Sequence, residues 1–184
     1  ADLAFTMHML SWLAVDGTAA IVEFPGVLLR GGAEAKIRQY LVENNYVDAV
    51  IQLPPDLFFG TNIRTCVIVL KKSKQDNNVL FVDASKQFVR EDNKNKLSTE
   101  NQEMILETLT KRTDIDHVAA LIDAETIREN GFNLSVSSYV EAEDAREQVD
   151  IVELNARIKD IVERQAMLRA SIDEIVTDLE GGAR

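Results

Sequence analysis

This chain of 184 residues is short of several things, and each shortage excludes something. One cysteine, Cys66, rules out an internal disulfide and any metal site made of several thiolates. Only two histidines are present, His8 and His117, more than a hundred positions apart, so no histidine-rich metal cluster is expected and no metal is assigned. No apolar run reaches the roughly 18 residues that a membrane-spanning helix needs. No basic stretch precedes the first apolar segment, so no secretory leader is read, and a reducing cytoplasm is the expected compartment. Basic residues are also scarce. Twenty Lys and Arg face thirty-one Asp and Glu, for a formal net charge of −11. A chain this acidic is a poor general ligand for nucleic acid, because phosphates are neutralised by Lys and Arg. If DNA is involved, another subunit must supply much of the affinity.

What is present is ordinary for a folded domain: 46% hydrophobic and 28% charged residues. At this length roughly 70% of the unfolded chain's surface can be buried. The chain opens Ala1-Asp2-Leu3 without methionine, and Leu3, Met7, Leu10 and Leu13 already share one helical face. A helix under way at the first residues favours a piece of a longer chain over a processed initiator. The helix should end before Asp16-Gly17.

Residues 1–83 alternate helix-like and strand-like segments. Ala19-Ala-Ile-Val-Glu-Phe24 reads as a buried strand closed by Pro25-Gly26. Ala33 to Asn44 carries Ile37, Tyr40 and Leu41 at helical spacing. Val47 to Gln52 is a second strand, stopped by Pro54-Pro55; Ile63 to Leu70 is a third, and Val79 to Asp83 a fourth. This order predicts an α/β sheet with an antiparallel element at its end. Residues 84–140 are mixed. Asp92 to Lys96 reads as a solvated loop, and His117 as a partly exposed helix residue. Ser98 opens a helix, with Asn101 and Gln102 in its first turn followed by the apolar set Ile105, Leu106 and Leu109. Asp123 suits the N-cap of a short helix stopped by Asn130-Gly131, and Asn133 to Val140 looks extended.

Residues 141–184 change character. From Glu141 to Glu180 there is neither proline nor glycine. Ile151, Leu154, Ile158, Ile161, Gln165, Leu168, Ile172, Ile175 and Leu179 recur at alternating spacings of three and four, a heptad seam with one polar member. Val152, Val162, Met167 and Val176 widen the stripe beyond what a two-stranded coiled coil needs. A helix over 144–180 would run on the order of 55 Å at roughly 1.5 Å per residue. A small domain cannot cover all of it.

The residues that could carry chemistry are few. Leu53-Pro54-Pro55-Asp56 has Pro-Pro, but it lacks the leading Asn, Asp or Ser and the trailing aromatic of an adenine-binding tetrapeptide, so it reads as a strand-ending turn. Gly26 to Gly32 lacks the Lys-Ser/Thr pair of a nucleotide phosphate loop. Gly31 and Gly32 before a helix are either a structural turn or a backbone contact for a phosphate, with Arg30 beside them. Cys66, inside an apolar strand, reads as core. Phe58 and Phe59 are adjacent aromatics in a loop with Gly60 and Thr61. Neighbours in an extended chain face opposite ways, so at least one should point outward. Such a ring either packs on the core or stacks on a base.

Three stretches carry a family resemblance. They are Leu53-Pro-Pro-Asp-Leu-Phe-Phe-Gly-Thr-Asn-Ile-Arg-Thr-Cys-Val-Ile-Val-Leu-Lys-Lys72, Ala19-Ala-Ile-Val-Glu-Phe-Pro-Gly-Val-Leu-Leu-Arg-Gly-Gly-Ala-Glu-Ala-Lys-Ile-Arg38, and Ile127-Arg-Glu-Asn-Gly-Phe-Asn-Leu-Ser-Val-Ser-Ser-Tyr-Val140. In order along the chain they resemble the methylation subunits of type I restriction–modification systems, which are DNA adenine-N6 methyltransferases. The resemblance implies a Rossmann-like sheet that uses S-adenosylmethionine, of which residues 1–83 would be the second half. Residues 84–140 would be a mixed helical connecting region. Residues 141–184 would be a long amphipathic helix that meets the specificity subunit, in a complex that also holds the restriction subunit and DNA. The isolated chain could instead self-associate through the same seam. The cofactor's glycine motif and the catalytic tetrapeptide precede this segment in the family, so no catalytic and no cofactor-binding residue is assigned here, and the chain alone is expected to be inactive. Phe58 falls where related enzymes place an aromatic against the flipped adenine, with Phe59 the alternative after a one-residue shift. The competing reading is a helical protein–protein interaction module with no enzymatic role.

Overall fold

The computed structural model describes residues 2–143 and 151–181. It divides into two compact units, residues 1–143 and 144–184.

The first unit is built on a five-stranded mixed sheet. The strands are β1 (Thr18–Glu23), β2 (Val47–Gln52), β3 (Cys66–Lys71), β4 (Asn78–Asp83) and β7 (Ala119–Asp123), in the spatial order β1-β3-β2-β4-β7. β3 runs antiparallel between β1 and β2, which are therefore parallel to each other. β4 is parallel to β2, with Val50 beside Phe81, and β7 is antiparallel to β4. A separate hairpin joins β5 (Val89–Glu91) to β6 (Lys94–Lys96). Four helices complete the unit: α1 (Asp2–Trp12), α2 (Ala33–Glu43), α3 (Thr99–Lys111) and α4 (Ala124–Glu129).

The central strands are apolar between their ends because both faces are covered. Val50 of β2, Ile68 and Leu70 of β3, and Val79 and Phe81 of β4 join Leu3, Leu10, Leu41, Ile127 and Val136 in one core. The alternate residues Ala49, Ile51, Leu80 and Val82 face a second core with Ile105 of α3. The period of two thus produces three layers. Val50, Leu80, Phe81 and Val82 have no exposed surface, and each such side chain contributes roughly 1.5–3 kcal/mol. At the amino end of the sheet, β2 bulges between Val47 and Ala49. The extra residue, Asp48, reaches Lys71 and Arg112, each at 2.9 Å. Arg112 sits just past α3, so this contact clamps that helix to the sheet.

Ser98 caps α3 reciprocally with Asn101, as its spacing predicts. Asp123 caps α4 by accepting the Glu125 and Thr126 N–H groups at 2.9 Å, bonds that hold its carboxyl below the usual range.

Several expectations need correction. The third strand begins at Cys66, not Ile63, because Ile63 and Arg64 still belong to the preceding loop. In α2 the buried face is Arg38, Leu41 and Val42, while Tyr40 is 44% exposed. Residues 92–96 are not a solvated loop: Asp92, at φ 51°, turns the β5–β6 hairpin, and Asn95 is buried. His117 is not helical. It sits at φ 60° in a turn closed by pairing of Ile115 with Ala119, and it leads into β7, which the sequence pattern did not reveal. Nor is 133–140 a strand: Val136–Ser138 form a short 3-10 turn that buries Leu134 and Val136. The segment 84–140 therefore supplies a strand to the same sheet as residues 18–83.

The second unit is one helix, α5 (Ile151–Gly181), about 46 Å long at roughly 1.5 Å per residue. Residues 144–150, where the sequence pattern starts this helix, lie outside the described residues. Every seam position from Ile151 to Leu179 is exposed, Gln165 included; Leu154 is 45% exposed and Ile151 71%. Among the described residues no helix is long and apolar enough to cross a membrane.

Candidate functional site at the carboxyl end of the sheet

β1, β2 and β4 are parallel, so their carboxyl ends lie on one side of the sheet. The loops that follow them, 24–32, 53–65 and 84–88, open on that side. In open α/β sheets this is where ligands bind. The glycine turn and the aromatic loop, far apart in sequence, are thereby brought to the same end.

The glycine turn is internally packed. Arg30 lies over the Phe24 ring, 5.3 Å from its centroid, and 3.7 Å from Glu34 in the first turn of α2. Gly26 makes this possible: a Cβ there would stand 2.7 Å from Phe24 and 2.8 Å from the Arg30 guanidinium. Gly32, at φ 71°, caps α2 with no side chain. Gly31 and Gly32 face open space. Arg30 is thus engaged by Phe24 and Glu34, and the Glu34 carboxylate competes for the charge that a phosphate would use.

Arg38, which no sequence motif singles out, holds this turn. Arg38 is 3% exposed. Its Nη1 donates to Val27 O and Arg30 O at 2.8 Å, and its Nε donates to Phe132 O at 2.9 Å. Burial lowers the guanidinium's pKa, and the Glu34 carboxylate opposes that shift. The available signal was a charged residue placed between Ile37 and Leu41 on the inner face of α2.

The aromatic loop leaves β2 through Pro54-Pro55. Leu53 N–H donates to Thr65 O at 2.9 Å, and Asp56 turns the chain at φ 55°. Phe58 is 38% exposed and Phe59 99% exposed, so the two neighbouring rings do face differently. Cys66, at the foot of the loop, donates Sγ–H to Glu23 O at 3.4 Å. Burial first, and the Glu23 charge second, push its thiol up to about 12, which makes it inert as a nucleophile. Between the ends of β2 and β4 lies a cavity of 670 Å³ lined by Gln52, Arg64, Asp83, Lys86, Phe88 and His117. His117 Nδ1 is 3.1 Å from Glu141 O, and Lys86 pairs with Glu143 at 3.1 Å.

This end of the sheet offers exposed aromatic surface and cations. Among the described residues no three His, Cys, Asp or Glu side chains converge on a point that could hold a metal. A side chain added at Gly31 or Gly32 would meet nothing within 4 Å, so this turn is open on that side.

The family model for N-6 DNA methylases matches residues 1–148, and the chain belongs to that family. It is 44% identical over 98% of its length to the type I restriction enzyme MpnII methylase subunit of Mycoplasma pneumoniae, and 32% identical over 98% to the MjaVII methylase subunit of Methanocaldococcus jannaschii. It spans about a third of each relative, 33% and 32% respectively. Among solved structures it resembles the type I restriction–modification methyltransferase subunit from Streptococcus thermophilus, with a TM-score of 0.75 at 44% identity over 77% of this chain and 30% of that one. The EcoKI M protein shares the fold at a TM-score of 0.62 and 18% identity, over 91% of this chain and 44% of that one.

Proposed function

We propose that the chain is the C-terminal part of a type I restriction–modification methylation subunit, which transfers a methyl group from S-adenosylmethionine to adenine N6 in DNA. The observation that carries the reading is topological: the Gly26–Gly32 turn and the Leu57–Asn62 loop open at one end of one sheet. A second observation supports it. β1 pairs on one side only among the described residues, with β3, and such an edge suits a further strand. In this reading residues 1–83, with strand β7 added from 84–140, are the second half of a Rossmann-like sheet, the rest of 84–140 is the connecting region and 141–184 the assembly helix. The residues that hold the cofactor and the target amino group lie in the rest of the protein.

The flipped adenine is stacked by Phe58, or by Phe59 in the alternative register, while Arg30, Gly31 and Gly32 approach a phosphate. The apolar seam of α5 docks on the specificity subunit, beside which the restriction subunit joins; in the isolated chain the same seam pairs with a second copy. A purely structural interaction module is the competing reading, favoured by the exposed seam alone. The test is Phe58→Ala in the full-length subunit assembled on DNA. A base–aromatic stack is worth roughly 1–3 kcal/mol, so N6-methyladenine formation should fall about tenfold or more. Damage from Phe59→Ala instead would move the role by one residue. Native turnover in both variants removes the stacking role, and no methylation by the native full-length protein removes the enzyme reading.

A further inference from the structure

The aromatic loop is gripped from outside the sheet by the β5–β6 hairpin, and every bond between them starts on the hairpin. Asn95 N–H donates to Asp56 O at 3.0 Å, and Asn95 Nδ2 donates to Pro55 O at 2.7 Å. Lys94 Nζ donates to Thr61 O at 3.0 Å. Arg90 Nη1 donates to Asn95 Oδ1 at 3.0 Å and stands 3.4 Å from Asp56 Oδ2. These contacts hold both feet of the segment that carries Phe58 and Phe59: Pro55 and Asp56 before the rings, Thr61 after them.

Apart from Leu57, which packs against the second core, the loop has little of its own to hold it. Asp56 and Gly60 both sit at positive φ, and Ile63 N–H to Thr61 Oγ1, at 3.1 Å, is a bond within the loop itself. The hairpin, in turn, is too short to be stable alone. Its β5 strand is exposed throughout, yet Asn95 on β6 is only 6% exposed. A buried amide is kept where its hydrogen bonds are satisfied, and here its partners are the turn's carbonyl and Arg90. Two of the hairpin's three cations also lean on the loop, while Lys96 pairs with Glu91. Arg90 and Lys94 both approach Asp56, with Lys94 Nζ 3.8 Å from Asp56 Oδ1. That arrangement serves the loop rather than offering free charge to a nucleic acid.

We propose that Lys94 and Asn95 are positioning residues that fix the 56–61 loop so that its aromatic ring meets the target base. The inference rests on the stacking reading and extends it to residues that touch no base. It is tested in the full-length methylase subunit carrying these residues, assembled with its specificity subunit, with Lys94→Met, Asn95→Ala and the conservative Lys94→Arg. Hydrogen exchange reads residues 57–63, with 47–52 and 66–71 as controls for the sheet. In the first two variants loop amides should exchange about tenfold faster while the sheet is unchanged, since local opening costs less once the tethers are gone. Turnover should fall about tenfold with the KM for S-adenosylmethionine unchanged, and Lys94→Arg should restore both. If Asn95→Ala also loosens the sheet, Lys94→Met carries the test, because that side chain is 40% exposed. Native loop exchange in Lys94→Met overturns the proposal. So does a loosened loop with native turnover while Phe58→Ala or Phe59→Ala is impaired. If both phenylalanine variants turn over normally, the stacking reading falls, and with it the catalytic purpose of the brace; the exchange rates then still decide whether the brace exists.

Discussion

Arg38→Leu is the perturbation that best separates packing from charge in this fold. The guanidinium is 3% exposed and reaches three carbonyls, of Val27, Arg30 and Phe132, at 2.8, 2.8 and 2.9 Å. Leucine leaves all three without that donor. Arg30 is exposed, so its carbonyl can take water. The Val27 and Phe132 carbonyls are less accessible, and each buried acceptor left unpaired costs about 1–3 kcal/mol. Against this, leucine removes a desolvated charge and adds apolar contact, which returns about 1–2 kcal/mol. The two acceptors together cost about 2–6 kcal/mol, so the net loss centres on about 2–3 kcal/mol. For a chain of this size that lowers Tm by roughly 5–10 °C. Urea denaturation followed by circular dichroism measures the loss. Hydrogen exchange over 27–32 locates it, because the glycine turn should open before the sheet does. Arg38→Lys should fall between, since one ammonium cannot span three separated acceptors. A leucine variant within about 0.5 kcal/mol of native would refute the reasoning: the bonds would then be geometric coincidences with no net worth.

Lys74 gives a pH signature. Burial lowers its ammonium to about 8 from the usual 10.5, partly opposed by Asp48 and Asp76. Between those values the unfolded chain holds a proton that folded Lys74 has lost, so this site's contribution to stability rises with pH across the window, and the penalty is present in full below it. The stability of native protein minus that of Lys74→Met should therefore grow from pH 7.5 to pH 10; a constant difference in urea midpoints contradicts it. Calorimetry of residues 1–184 with S-adenosylmethionine should show no micromolar binding, because the sequence holds neither the cofactor's glycine motif nor the catalytic tetrapeptide; a saturable micromolar isotherm would place a cofactor site in this chain. In α5, Ile158→Asp and Leu168→Asp should abolish co-purification of the full-length protein with its specificity subunit, since an unpaired carboxylate cannot be buried in the seam. Normal stoichiometry in both variants removes the docking role of 151–181. Gln165→Leu should strengthen association while loosening partner choice.

Local signals carried much of the fold. The apolar runs at 19–24, 47–52 and 79–83 became strands within a residue or so of their ends, although the first is a half-exposed edge strand and not the buried one its pattern suggests. Ser98 and Asp123 marked helix starts because caps act through bonds two or three residues away. The exposed seam of α5 was legible for the same reason: a heptad pattern is a property of one helix. The candidate site was half legible. Arg30, Gly31, Gly32, Phe58 and Phe59 stood out as residue types, and three ordered stretches pointed to the N-6 DNA methylase family that the comparisons then showed.

The remaining features are non-local. The order β1-β3-β2-β4-β7, which brings the glycine turn and the aromatic loop to one end, depends on pairing between segments up to 53 positions apart, such as Thr18 with Lys71. β7 became a strand because β4 offered a free edge, although Ala119-Ala-Leu-Ile-Asp123 has little pattern of its own. Arg38, Lys94 and Asn95 look like surface residues in a sequence, since charge and amide ordinarily seek water. They matter because the fold carries carbonyls of distant segments to them: Phe132 lies 94 positions from Arg38, and Pro55 lies 40 from Asn95. A hydrogen-bond donor reveals its purpose only once its acceptor is in place, and that place is set by the whole chain.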